Sequence, residues 1–590
     1  MSIAGRIKPL AINALKELYN YSITEPEITI SSTKPEFEGD YTMVLFSLIK
    51  QLKKSPEHLG KELGEYLVSK NPDLFSAFNV IKGFLNLTIK DDYWLSFLQT
   101  NYSESNFGLA TSTGKKVMVE YSSPNTNKPL HLGHLRNNFL GWSVAAILKS
   151  NGNKIVKTCI ANDRGIHICK SMIAWQHFAN GATPESTGLK GDHFVGDYYV
   201  RFGDEQKKQM QQLIEQGKTK EEAEKEAPIM KEAQQMLVDW EAGKPDVIAL
   251  WKKMNSWVYY GFEQTYKRIG TDFDKTYYES ETYLLGKKLV DFGLQKGVFY
   301  KKEDNSVWID LTADGLDEKI VQRKDGTAVY ITQDIGLAVE KQEQYKCDQS
   351  IYVVGDEQNY HFKVLKLICQ KLGLPASDGI YHLSYGMVEL PTGRMKTREG
   401  TVVDADDIID EMVNVARQKT EELGKVKDFT DAELKELYDT IGLGALKFFL
   451  LRVDPKKKML FNPEESIDFH GFTGPFVQYT HARIKSILRK EKATRNLQPA
   501  DLLPLEKKLT VLLEQYPTMI DQASAEHNPS ILAIYAFNVA KEFNSFYTEH
   551  SVMNAESDVK KELRLQICEL TANVIKSSMA LLGIKAPERM

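Results

Sequence analysis

Residues 115–141, KKVMVEYSSPNTNKPLHLGHLRNNFLG, constrain the fold more than any other stretch of this 590-residue chain. Lys116 to Tyr121 is a short apolar run that reads as a buried strand. Ser122 to Pro129 is a polar turn punctuated by proline. From about Leu132 to Lys149 the pattern is helical, and Asn151-Gly152 stops it. Lys154 to Ile160 (KIVKTCI) then supplies a second strand. Strand, helix and strand make a βαβ unit, so the sheet is parallel and the domain α/β.

The sequence His131-Leu132-Gly133-His134 falls in the first turn of that helix. Unpaired backbone N–H groups and the positive end of the helix dipole meet there, a setting that favours an anion. Spaced by three, the imidazoles share one helix face, and Gly133 leaves room for a flat ligand. Three readings are open: a metal site completed by Cys159, Cys169 or His167; a pair of histidines that only caps the helix; or a triphosphate site. No Glu adjoins the histidines as in H-E-x-x-H, and the thiols have no tight ligand spacing, so no metal is expected. The triphosphate reading also uses a later loop, Gly393 to Thr401, which places Arg394, Lys396 and Arg398 between two glycines. A mobile basic loop suits ordering during a reaction and release after it. If a carboxylate attacks an α-phosphate, charge grows on the phosphorus centre and on departing pyrophosphate. His131, His134, Lys128 and the loop cations are candidates to stabilise it.

Three acids, Glu120, Asp163 and Asp334, are placed at strand ends near the same sheet edge. Each alone reads as a cap or turn residue. Together, beside a polyphosphate, they would repel it unless they served a cation, and a guanidinium favours paired carboxylates. Tyr330 and Gln358 can add neutral contacts.

A chain of this length exceeds one core. Residues 2–18 carry a helix stripe at Ile3, Ile7, Leu10, Leu15 and Leu18; Glu27 to Ile30 alternates like a strand; Ser55-Pro56 opens a helix to about Ser69. Phe75 to Ile89 reads as strand, turn at Gly83, strand, completing a small α+β domain. Tyr102 to Gly114 is its linker. The α/β pattern is interrupted at about 170–270, where Asp204 to Lys244 reads as a solvated surface helix pair. It resumes with strands at Ser306–Leu311, Ala328–Thr332 and Ser350–Val354, each expected to join the same sheet. Asp404, Asp406 and Asp407 cap and charge a helix running toward Lys419. From Asp431 the chain is nearly all helical, with Arg483, Lys485, Arg489, Lys490, Lys492 and Arg495 set against the single acid Glu491 over 483–495. The net charge of −5 does not suggest a nucleic-acid partner, but phosphate contacts need only a local basic face. Five cysteines without a C-x-x-C pair suit reduced thiols in a cytoplasmic protein, and no signal-like or membrane-length apolar run is found.

Six segments in order resemble one family. His131 to His134 looks like the HIGH signature of class I aminoacyl-tRNA synthetases, and Glu120 to Arg136 resembles the arginyl-tRNA synthetases in particular. So do Asp325-Gly326-Thr327, Tyr330 to Asp334, Gly355 to His361, Thr473 to Arg483 and the closing Leu582 to Met590. The resemblance implies a multidomain α/β architecture. An N-terminal α+β domain contacting the tRNA elbow spans 1–108. A Rossmann-type catalytic domain with its insertion spans 109–466, and an all-α anticodon-binding bundle spans 467–590. It implies that arginine and ATP, with Mg2+ accompanying ATP, give arginyl-adenylate, that the arginyl group passes to tRNA-Arg, and that bound tRNA is usually needed for the first step. It assigns Glu120, Asn125, Tyr330, Asp334 and Gln358 to arginine, and His131, Gly133 and His134 to ATP. At the second signature loop, where many class I enzymes read KMSKS, this chain has Arg394-Met395-Lys396-Thr397-Arg398. Thr397 stands at the second lysine, and Lys128 matches a lysine that other arginyl enzymes carry upstream of HIGH. Lys128 is therefore expected to take over the phosphate contact, beside Lys396 and Arg398. Arg483, Lys485, Arg489 and Lys490 are the candidate tRNA face, and a monomer is expected. A class I synthetase for another amino acid would leave Glu120 and Asp334 as unpaired buried carboxylates, costing about 3–5 kcal/mol. A non-catalytic tRNA-binding protein has no need of the intact His131, His134 and Lys128.

Overall fold

The computed structural model describes residues 2–34, 36–389, 403–424, 428–494 and 498–590. The N-terminal stripe closes one face of the helix Ile3–Tyr19, burying Ile3, Ile7, Ala11, Ala14 and Leu15, while Leu18 stays exposed. That face shares a core with a four-stranded antiparallel sheet: β1 (Ile30–Ser32), β2 (Tyr41–Val44), β3 (Phe75–Ile81) and β4 (Phe84–Ile89), in the order β1-β2-β4-β3. The strand expected over Glu27–Ile30 starts only at Ile30, because Glu25–Glu27 winds into a 3-10 turn capped by Thr24. Ser55 accepts a bond from the His58 N–H and Pro56 is the first helical residue, as the sequence predicts. The domain docks on the C-terminal bundle, where buried Glu514 accepts from the Ile3 N–H (2.6 Å) and the Tyr41 hydroxyl (2.8 Å).

The main parallel sheet is built around β5 (Lys116–Glu120). The helix Leu132–Ser150 carries the chain to β6 (Lys154–Ala161), and a long helical excursion leads to β7 (Lys275–Tyr278). A second sheet follows: β8 (Tyr300–Lys301), β9 (Val307–Ile309) and β10 (Lys319–Gln322). The chain returns to the first sheet with β11 (Gln349–Gly355) and β12 (Ile380–Tyr385). All four pairings in the order β12-β11-β5-β6-β7 are parallel. Two short strands, β13 (Val388–Glu389) and β14 (Met459–Leu460), pair beside it.

Two expected strands do not join this sheet. Ser306–Leu311 contributes β9 to the separate antiparallel sheet, because the short turn from β8 allows only antiparallel pairing, whereas a parallel partner needs a crossover. Ala328–Thr332 is not a strand. Tyr330 begins the helix Tyr330–Tyr345, with Val329 extended as its N-cap. A five-residue apolar run cannot separate strand from helix. The buried Ile331 and Ile335, four apart, show which periodicity prevails.

The interruption at 170–270 is helical throughout, with helices Ile166–Phe178, Gly191–Glu215, Lys220–Glu226, Pro228–Glu241 and Pro245–Ile269 among its elements. The expected solvated pair is instead three helices with a buried seam. Ile229, Ala233, Met236 and Trp240 are spaced four, three and four apart and pack into the main core with Phe194, Val195 and Phe202. Beyond Asp431 the bundle is helical as read, joined to the α/β domain through Asp431–Leu451. Inside it, buried Glu506 takes Arg564 (2.9 Å) and Lys560 as cationic partners. Among the described residues no helix is long and apolar enough to cross a membrane.

Candidate active site

From β5 the chain adds strands first on one side (β6, β7) and then on the other (β11, β12). The crevice at such a switch point, outside the carboxyl ends of the strands, is where open α/β sheets bind ligands. Glu120 ends β5 between Tyr352 of β11 and Thr158 of β6. Two residues on, Ser122 holds a positive φ of 61°, uncommon for a residue with a side chain. The buried amide of Asn137 holds it there. Asn137 Oδ1 accepts from the Ser122 N–H (2.6 Å), while Nδ2 donates to the Val353 carbonyl (2.7 Å) and Tyr385 Oη (3.2 Å). One side chain thus ties the turn to the ends of β11 and β12.

His131 is the N-cap of the next helix, not a first-turn residue. Its Nδ1 accepts from the Gly133 N–H (3.1 Å), and His134 Nδ1 accepts from the His131 N–H (3.1 Å). The ring centroids are 3.9 Å apart at 33°. With both Nδ1 atoms accepting, each neutral ring carries its proton on Nε2. Burial, reinforced by the Lys128 charge, pushes the His131 pKa down to about 3. Burial, then His131 and Lys128, hold His134 well below its ordinary value. At neutral pH the pair therefore offers two uncharged N–H donors at a helix N-terminus. Burial also lowers the Lys128 pKa. The turn is pinned from the far side: the Leu132 N–H donates to the Val403 carbonyl (3.3 Å) and the Ala405 N–H to the Leu130 carbonyl (3.0 Å). Arg394, Lys396, Thr397 and Arg398 lie outside the described residues.

The acids assigned to arginine have partners from the chain itself. Glu120 accepts from the Lys341 ammonium and from Thr158 Oγ1 (3.3 Å). Lys341 is 3% exposed, its Nζ about equally far from the rings of Tyr277 (5.3 Å) and Tyr352 (5.2 Å). Asp334 is bonded to His361 Nε2 at 2.6 Å. The helix Tyr330–Tyr345 sets Tyr330, Asp334 and Lys341 along one side at spacings of four and seven. Tyr330 is 73% exposed, and Gln358 is exposed at the end of a 3-10 turn after β11. Asn125 is exposed in the polar turn and bridges to Asn162 beyond β6. Asp163 differs: it is buried, bonded to the Ser280 N–H (2.8 Å), Ser280 Oγ and Tyr259 Oη (both 2.7 Å), and so pins the exit of β7. Of the two readings of Asp163, the turn residue prevails.

Lys341 and Asn137 lie outside every motif segment and Ser122 inside one without a role assigned to it, although Lys341 shares a helix side with Asp334, and that pattern could have found it. His361 lies inside the Gly355–His361 segment, but nothing in the sequence paired it with Asp334. The residues weighed as metal ligands are not gathered. Cys159 donates to the Ser122 carbonyl and His167 contacts Tyr199; elsewhere Asp192, His193 and Asp406 come together, but the Lys190 ammonium lies between the two carboxylates. Of the basic stretch, Arg483 is half-buried, bonded to Asn544 and near the rings of Tyr479 and Tyr547. Lys485 (3.8 Å) and Arg489 (2.9 Å) reach Glu588, Lys490 is exposed, and Arg495 lies outside the described residues.

The family described as tRNA synthetases class I (R), catalytic domain, matches residues 98–462. The DALR anticodon binding domain matches 477–590, and the arginyl tRNA synthetase N terminal domain matches 6–89. The chain belongs to the arginyl-tRNA synthetase family. It is 53% identical over 604 aligned residues, covering all of both chains, to the arginine–tRNA ligase of Flavobacterium psychrophilum, and 52% identical, again in full, to that of Bacteroides thetaiotaomicron. The Thermus thermophilus arginyl-tRNA synthetase structure matches at full coverage of both chains with a TM-score of 0.84 and 25% identity. The chain is accordingly an ATP-using class I ligase that joins arginine to tRNA-Arg.

Proposed function

We propose that the crevice between the His131 turn and the helix Tyr330–Tyr345 activates arginine and passes it on, with roles divided between its two sides. His131 and His134 direct Nε2–H groups at the phosphates, Gly133 lets the nucleotide approach the backbone, and Lys128 supplies the fixed cation that Thr397 lacks. Lys396 and Arg398 add charge from the second loop. Glu120 and Asp334 receive the cationic groups of arginine, with Asn125, Tyr330 and Gln358 as neutral contacts. An arginine carboxylate oxygen attacks the α-phosphorus, the bond to the bridging oxygen breaks, and pyrophosphate leaves. A hydroxyl of the terminal tRNA ribose then attacks the acyl carbon, and AMP departs. Uncharged donors suit the first step, because they stabilise growing charge without holding pyrophosphate back. Mg2+ enters with ATP, held mainly by phosphate oxygens and water.

The observation that carries this reading is the pair of neutral imidazoles with fixed tautomers, at a helix N-terminus that follows the strand ending in Glu120. We assign 1–108 to the tRNA elbow, 109–466 with its insertion to catalysis, and 467–590 to the anticodon end. Arg483, Lys485, Arg489 and Lys490 lie on the tRNA side, and the enzyme works as a cytoplasmic monomer. The test is amino-acid-dependent ATP–pyrophosphate exchange, with and without tRNA-Arg. Exchange with arginine and not with lysine or glutamate is expected; exchange with either of these in place of arginine contradicts the reading.

A further inference from the structure

The helical insertion reaches the His131 turn at two places. Its helix Gly191–Glu215 lies against the turn so closely that a Cβ on Gly196 would come 2.8 Å from Pro129 Cδ, next to Lys128. At the start of that helix, Lys190 Nζ binds Asp406 (2.7 Å) and Asp192 (3.0 Å), and His193 Nε2 lies 3.3 Å from Asp406 and 3.4 Å from Asp404. Asp404 is the N-cap of the helix Ala405–Leu423, accepting from the Asp406 N–H (2.7 Å), and its backbone is bridged to His131. Two carboxylates, Asp404 and Asp406, thus sit at one helix start on the segment that pins the ATP turn. Among the described residues, the cationic partners recorded for them, Lys190 and His193, come from the insertion. Lys190 occupies the space between Asp192 and Asp406 that a metal ion would need.

We propose that His193, with Lys190, is a positioning residue of the ATP site: it balances Asp404 and Asp406 and so holds Val403–Ala405 against the turn Leu130–Leu132. The inference rests on the assignment of His131 and His134 to the ATP step. It gives the insertion a role in catalysis although none of its residues need touch a substrate. The charged groups facing His193 are Lys190, Asp192 and Asp197 on its own side and Asp404 and Asp406 on the other, with Asp407 next to Asp404. The bond to Asp406 raises the His193 pKa, with Asp404 and Asp192 adding to the shift, and burial raises Asp404 to about 6. The latch is therefore complete above the Asp404 pKa and weakens as His193 loses its proton at higher pH.

Steady-state ATP–pyrophosphate exchange across pH, on the full-length enzyme with tRNA-Arg, tests this. His193→Gln keeps a hydrogen-bonding group without the charge. It is expected to raise KM for ATP about tenfold, since small misplacements at a reacting centre have effects of that order or more, while KM for arginine moves less than about twofold. The pH dependence of KM for ATP on the alkaline side is expected to flatten. Asp404→Asn keeps an efficient N-cap and removes one of the charges His193 balances, so H193Q/D404N is expected to recover most of the loss. His193→Lys is expected to keep KM for ATP low at alkaline pH. Equal rises in both KM values, no change in either, or no recovery in the double variant would overturn the proposal. His134→Gln separates the two layers. If it leaves the ATP step intact, the assignment of the turn itself fails; if it slows that step while His193→Gln does not, only this inference fails.

Discussion

The two sides of the crevice are built on opposite plans. The side proposed for ATP is backbone: His131 and His134 are locked by N–H groups of their own turn, and Leu130–Leu132 of that turn is bonded to Val403–Ala405. The side proposed for arginine is side chains: Glu120 is held by Lys341, and Asp334 by His361. A site for a polyanion can be preformed from dipoles, because backbone donors need no counter-charge. A site for a cation needs carboxylates, and a buried carboxylate is stable only with a partner. Lys341 supplies an internal cation to Glu120, and on the proposed assignment arginine must share or replace it. On the proposed assignment the ATP side is preformed, and the arginine side is the one expected to adjust on binding.

Variants can break this contrast. The largest effect is expected from Lys341→Met, which leaves Glu120 charged and unpaired. Loss of one partner of a buried pair destabilises by about 3–5 kcal/mol, and thermal or urea unfolding would show it. The double variant Glu120→Gln with Lys341→Met should regain most of that stability without regaining arginine binding. Lys128→Ala comes next: adenylate formation should slow by about 100-fold, the scale of losing one donor in a transition state, with tRNA binding near normal in a filter assay. Collapse of tRNA binding would instead make Lys128 an RNA contact. A milder contrast lies in acid. His131 stays neutral in the fold down to about 3 and would titrate near 6.5 when unfolded. The folded state thus binds fewer protons, its contribution is complete above pH 6.5, and it is lost as pH falls toward 3. His131→Asn should flatten that part of the stability profile in acid unfolding. The smallest effect belongs to Ser55→Ala, distant from both sides, which removes an N-cap worth about 1 kcal/mol and should leave both KM values unchanged.

The sequence made the ATP side legible and the arginine side only in part. A strand, a turn and a helix adjacent in the chain gave the position of His131 and His134 from local pattern alone, and the parallel β5–β6 pair followed. Pairs formed across long separations leave no such trace. Glu120 and Lys341 are 221 residues apart, and Asp334 and His361 are 27 apart in different elements. Reading Ala328–Thr332 as a strand also put Asp334 at a strand end instead of on a helix side shared with Lys341. The same weakness hid the seam of the insertion, where four apolar residues at helical spacing are outnumbered by charges. Ser306–Leu311 was strand as read, but the partner of a strand is set by the length of its connections, which composition does not disclose.

The most direct test of the division is Asp334→Asn in arginine-dependent ATP–pyrophosphate exchange with tRNA-Arg present. If Asp334 serves arginine alone and the ATP side is preformed, KM for arginine rises about 100-fold, corresponding to roughly 2.7 kcal/mol, and KM for ATP stays within about twofold. Equal increases in both KM values would contradict the account.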